Sequence, residues 1–175
     1  MNLQLKKLIY SAIFLALALV LPFLTGQIPQ IGGMLCPMHI PALLCGFVCG
    51  GPWGAAVGFI APLLRYLLFG MPPIYPVGVA MAFELAVYGF AAGFFYRLFP
   101  KKMPFLYASL LISMVAGRLV WGAVQLVLAG ISKTVFDFPA FWAGAVVTAL
   151  PGIIVQIILI PVIVLALRKA KLCLQ

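Results

Sequence analysis

Acidic side chains are nearly missing from this chain: its 175 residues include two Asp or Glu, against eleven Lys or Arg and one His. Charged residues total 7%, where a soluble domain carries about 25%, so a water-facing surface cannot be covered. The scarcity also narrows the chemistry. One His and two acids in separate regions supply neither paired carboxylates nor a Ser/His pair for a membrane enzyme. No G-x-x-x-x-G-K-[ST] phosphate loop is present, so the chain is not expected to hydrolyse ATP itself. What fills the chain is apolar: 66% of residues, with a mean hydropathy of +1.27. The solvent is therefore lipid, and disorder is excluded by the same composition.

A spanning helix needs ~20 apolar residues, and the apolar runs between Gly/Pro-rich breaks predict six spans. They cover about Leu5–Leu24, His39–Gly51 (short for a full crossing), Pro52–Phe69, Val77–Leu98, Phe105–Gly130 and Pro139–Leu167. The first reads as an uncleaved span, because no small-x-small cleavage site follows it. The basic residues test the count. Lys6 and Lys7 precede the first span, Arg97, Lys101 and Lys102 lie between the fourth and fifth, and Arg168, Lys169 and Lys171 follow the sixth. Six spans put all eight on one side, which the positive-inside rule makes the cytoplasm. The net charge of +9 thus reports topology, and no clustered basic face for nucleic acid is implied. The expected fold is all-α: one polytopic six-transmembrane-helix bundle over residues 1–175, both termini cytoplasmic.

Three charges remain inside the spans: Arg65, Glu84 and Arg118. Each costs several kcal/mol in hydrocarbon unless paired or facing a cavity, which makes such groups functional candidates. Counting ~1.5 Å per residue along alternately rising and falling helices predicts one common level in the outer half of the membrane. Helical spacing adds Trp121 and Gln125 beside Arg118, and Tyr88 beside Glu84. His39, at the outer start of the second span, is expected just above them. Two guanidinium groups against one carboxylate favour an anionic or zwitterionic solute. The competing reading is a buried pair that only sets helix packing, and for His39 a capped helix start. Gln27, Gln30, Met71 and Tyr75 are placed to close over a pocket, and Gln156 to make interhelical hydrogen bonds. Cys36, Cys45, Cys49 and Cys173 form no metal or disulfide pattern and read as small packing residues. No metal or cofactor is expected.

Small residues recur at four-residue spacing: Ala12 and Ala16 on the first span, Gly46, Gly50, Gly54 and Gly58 across the second and third, and Gly89 and Gly93 on the fourth. Such faces let helices approach closely. With the Ala12-x-x-x-Ala16 motif, the segment CPMHIPALLCGFVCGGPWGAAVGFIAPLLRYLLFGMPP and AFELAVYGF, essentially the whole chain resembles the substrate-binding (S) components of energy-coupling factor (ECF) transporters, the prokaryotic vitamin importers. The resemblance implies a multi-pass protein of the prokaryotic cell membrane. It also implies a vitamin pocket in the outer half, docking of Ala12 and Ala16 on a transmembrane coupling subunit, and two cytoplasmic ATPase subunits as further partners. The pattern looks like the pantothenate-type or an unassigned branch, which makes pantothenate the expected ligand, with another small vitamin or precursor behind it. A stand-alone secondary carrier or channel for a small anionic solute is the alternative.

Overall fold

The computed structural model describes residues 2–25, 28, 34–133 and 137–174. Among these residues there is no strand; the elements are α1 (Leu3–Val20), α2 (His39–Cys49), α3 (Gly51–Phe69), α4 (Val79–Leu98), α5 (Met103–Ser132) and α6 (Leu150–Lys169). Five helices are long and apolar enough to cross a membrane, and α2 is shorter. Leu119, Val127, Ile131, Ile158 and Val162 are exposed large apolar residues on α5 and α6, as a surface solvated by lipid requires.

The second expected span is one short helix, as its run length implied, and the sixth is not a single helix. At 11 residues, α2 covers about 16 Å, roughly half the hydrocarbon thickness. The sixth run is broken: a short helix over Phe138–Trp142 and a π-helical turn over Ala143–Val147 precede α6, with a turn at Thr148 and Ala149 between. Pro151 has no N–H to carry a ladder across this point and instead sits in the first turn of α6, where that loss is harmless. Non-helical backbone at membrane depth is tolerated where it lines a cavity or is buried in protein. The residues before α2 and the break before α6 both border the cavity described below.

Glycine builds the opposite end of α2. Gly50, with φ 107° and ψ 163°, joins α2 to α3 with no further loop residue, a conformation that favours a residue without a Cβ. Helices α2 and α3 then fold back as a hairpin against α4. The basic residues gather at this same end. Arg168 Nη1 donates to the Lys101 carbonyl at 2.6 Å, Lys101 Nζ stands 3.8 Å over the Tyr96 ring, and the Leu174 amide donates to the Val48 carbonyl at 2.8 Å. Cys45 and Cys49 are buried in the core cluster of α2, and Ser11 Oγ lies 3.5 Å from Cys45 Sγ. Cys36 differs from the expected packing role: Arg118 Nη2 lies 3.7 Å from its sulfur. Gln156 is buried, but its Oε1 has no hydrogen-bond partner among the described residues, so that oxygen does not make the expected interhelical bond.

One glycine is spare. A Cβ built on Gly130 of α5 meets no atom within 4 Å. Gly130→Ala is therefore expected to stabilise the protein by up to about 1 kcal/mol through helix propensity, read as a small rise in melting temperature in detergent; a fall would mean the site is packed.

Candidate functional site

The end of the bundle remote from the basic cluster holds a cavity of about 510 Å³. Its walls come from the irregular stretch Cys36, Pro37 and Met38, from the linker residues Met71, Pro72 and Pro73, and from the broken sixth run through Gly144 and Thr148. Arg65, Glu84, Arg118, Trp121 and His39 also line it. Its volume falls in the range typical of small-molecule sites, and its lining of apolar residues with a few polar groups is of that kind.

Glu84 is the centre of the polar wall. It is 1% exposed, and its Oε1 lies 2.9 Å from Arg118 Nη1 and 3.3 Å from His39 Nε2. Three helices meet here: α2 through His39, α4 through Glu84 and α5 through Arg118. Neither contact has the alignment of a full hydrogen bond, and His39 Nδ1 and Arg118 Nε have no hydrogen-bond partner among the described residues. Buried polar atoms are normally satisfied, so this cluster carries unused hydrogen-bonding capacity at a cavity wall. The His39 side chain does more than end a helix, because its ring also meets the Tyr88 ring edge-on at 5.2 Å between centroids. Tyr88 is itself buried, and a Cβ on Gly117 of α5 would lie 2.6 Å from its ring. It supports the cluster from behind.

Arg65 stands apart from that cluster. It is 3% exposed, donates from Nη1 to the carbonyl of Leu19, and has Phe23 and Phe69 at 5.0 and 5.3 Å from its guanidinium carbon. The common level expected for three charges thus holds for Glu84 and Arg118 alone. Counting residues along a helix locates depth approximately, whereas the register of α3 on α4 is set by glycine contacts that hydropathy does not reveal.

The remaining expected residues divide. Trp121 lines the cavity, with its ring 6.2 Å from Phe141 and against Gly144. Gln125 is half-buried on α5 and is not in the cavity wall. Met71 is in the wall, but the Tyr75 hydroxyl is engaged elsewhere, donating to the Leu128 carbonyl at 2.9 Å and contacting Ser132 Oγ. Gln27 and Gln30 lie outside the described residues. Sequence reasoning missed Cys36, Met38, Met81, Gly144 and Thr148 as wall residues. Only proximity of Cys36 and Met38 to His39 pointed to any of them. On α1, Ala12 and Ala16 are both exposed, while Ser11, Phe14 and Ala18 are buried.

A family model described as "ECF transporter, substrate-specific component" matches residues 6–164. No curated protein and no solved structure gives a match.

Proposed function

The chain belongs to the substrate-specific components of ECF transporters, and from that premise we propose that the 510 Å³ cavity is where it binds a small vitamin or vitamin precursor, pantothenate foremost. The observation that carries this reading is the cluster of Glu84, Arg118 and His39, buried at the cavity wall with hydrogen-bonding atoms left unfilled. A pair that served packing alone gains nothing from facing an open volume. Pantothenate suits the wall chemically, since it combines one carboxylate with an amide and two hydroxyls. In this reading the end that carries the basic residues faces the cytoplasm of a prokaryotic cell, as the positive-inside rule favours, and the cavity faces outward.

Import then requires partners. In this reading Ala12 and Ala16 form the face on which a transmembrane coupling subunit docks, and two cytoplasmic ATPases supply the energy. The support is that both side chains are exposed on α1, and small residues allow a second helix to come close. The stand-alone carrier or channel reading has no specific observation in its favour.

Purified protein in detergent, screened by thermal shift against a vitamin panel, tests the ligand: pantothenate is expected to raise the melting temperature, and selective stabilisation by another vitamin would replace it. Cells carrying Ala12→Trp with Ala16→Trp test the docking face. Uptake and co-purification of the coupling subunit are expected to be lost while ligand binding by the purified variant is retained. Uptake that survives both substitutions, and survives without ATPases, would sink the importer reading.

A further inference from the structure

The cavity has two polar poles of different charge, and their separation specifies a ligand class. The first pole is the Glu84–Arg118 pair with His39. Carboxylate and guanidinium cancel, so the pole is neutral and offers acceptor and donor side by side. A second anion placed there would compete with Glu84 for Arg118. A hydroxyl or amide, which both donates and accepts, fits it better.

The second pole is Arg65. The chain has two acids, Glu84 and Asp137, and Glu84 is engaged with Arg118 and His39. Among the described residues no ion pair reaches Arg65. Among the described residues its one hydrogen bond goes to the Leu19 carbonyl, which uses one of five guanidinium donors. A cation that is 3% exposed, lines a cavity and is flanked by Phe23 and Phe69 but by no carboxylate among the described residues can take an anion from the cavity.

The offset follows from the α3–α4 contact. Gly58 is seated against the Leu85 carbonyl, where a Cβ would come within 2.2 Å of the oxygen. From that level Arg65 is seven residues farther toward the cavity end on α3, and Glu84 is one residue farther on α4. At 1.5 Å per residue the two backbones differ in depth by about 9 Å. The wall also includes Met81 and Pro72, and among the described residues it carries no further ionisable side chain apart from the Cys36 thiol.

We propose that Arg65 and the Glu84–Arg118 pair, both lining one cavity and offset by about 9 Å in backbone depth, select an elongated monocarboxylate, with its carboxylate on Arg65 and a neutral hydroxyl or amide end on Glu84 and Arg118. This rests on the reading of the cavity as the vitamin site. It assigns preference for the acid to Arg65, and Arg118 has no part in it.

The test compares acids with their uncharged counterparts on purified protein: pantothenate with panthenol and biotin with biotinamide. For whichever pair binds, wild-type protein is expected to favour the acid by about 10- to 100-fold, the worth of one charge-assisted hydrogen bond. Arg65→Gln should bring that ratio close to one and Arg65→Lys should keep most of it. Arg118→Met with Glu84→Leu should weaken both members of the pair and leave the ratio standing. Should the double variant remove the ratio and Arg65→Gln preserve it, the assignment is overturned while the vitamin reading stands. Binding of neutral or cationic compounds alone would have the same meaning. If no compound binds the wild-type protein, the cavity reading fails and this inference with it.

Discussion

Gly89→Val is expected to abolish the folded bundle. A Cβ at this position would lie 2.2 Å from the Gly54 carbonyl oxygen and 2.8 Å from the Gly54 Cα. The obstacle is backbone, so no side-chain rotation relieves it. Seen from the other helix, a Cβ on Gly54 would meet the Gly89 carbonyl at 2.6 Å and the Gly46 Cα at 2.7 Å. Three helices therefore touch through glycine at one point, and valine at Gly89 must push α4 off α3 where α2 also packs. Overpacking an ordinary core costs ~1–3 kcal/mol, but there a neighbouring side chain yields. Within lipid, close van der Waals packing is a main force holding helices together, so separating three at their closest approach should exceed that range. Size-exclusion chromatography in mild detergent reads the outcome: the variant is expected in the aggregate fraction. A monodisperse peak with the wild-type melting temperature would refute the glycine contact.

The second large effect concerns the buried pair, and it separates folding from binding. Glu84→Leu alone leaves the Arg118 guanidinium, itself 15% exposed at the side chain, without its carboxylate. Removing one partner of a buried pair typically costs ~3–5 kcal/mol, whereas replacing both by apolar groups of similar volume is often neutral. Glu84→Leu is thus expected to lower the melting temperature sharply, and adding Arg118→Met to restore most of the loss. Ligand binding should be strongly weakened in both variants, since the neutral pole is gone from each. Recovery of stability together with full binding would reduce the pair to a packing device. A single variant as stable as wild type would show that water reaches Arg118.

Much of the bundle was legible in the amino-acid sequence for physical reasons. Hydrocarbon admits only helices with their own backbone satisfied, so run length marked α1, α3, α4 and α5 within a few residues. The spread of Lys and Arg marked one end of the molecule. Burial cost marked Arg65, Glu84 and Arg118 as the residues requiring an account, and the glycine spacing marked the α2, α3 and α4 faces that touch.

Which charges meet was not legible. Periodicity describes one helix at a time and is silent on the rotation and register of its neighbour. Those are decided where Gly58 seats on Leu85 and Gly54 on Gly89. That α3–α4 register leaves Arg65 with Leu19, Phe23 and Phe69, while α5, seated by Gly117 against the Tyr88 ring, meets Glu84 through Arg118, and α2 meets it through His39. The break at Pro151 likewise looks like continuous hydropathy in one dimension, yet it opens the helix and brings Gly144 and Thr148 to the cavity. The near-absence of acid therefore settled by itself that this protein lives in lipid and holds few buried charges, because each is too costly to be casual. Only the tertiary structure decided that the one intramembrane carboxylate is spent on Arg118, and that Arg65 lines the cavity with no carboxylate beside it among the described residues.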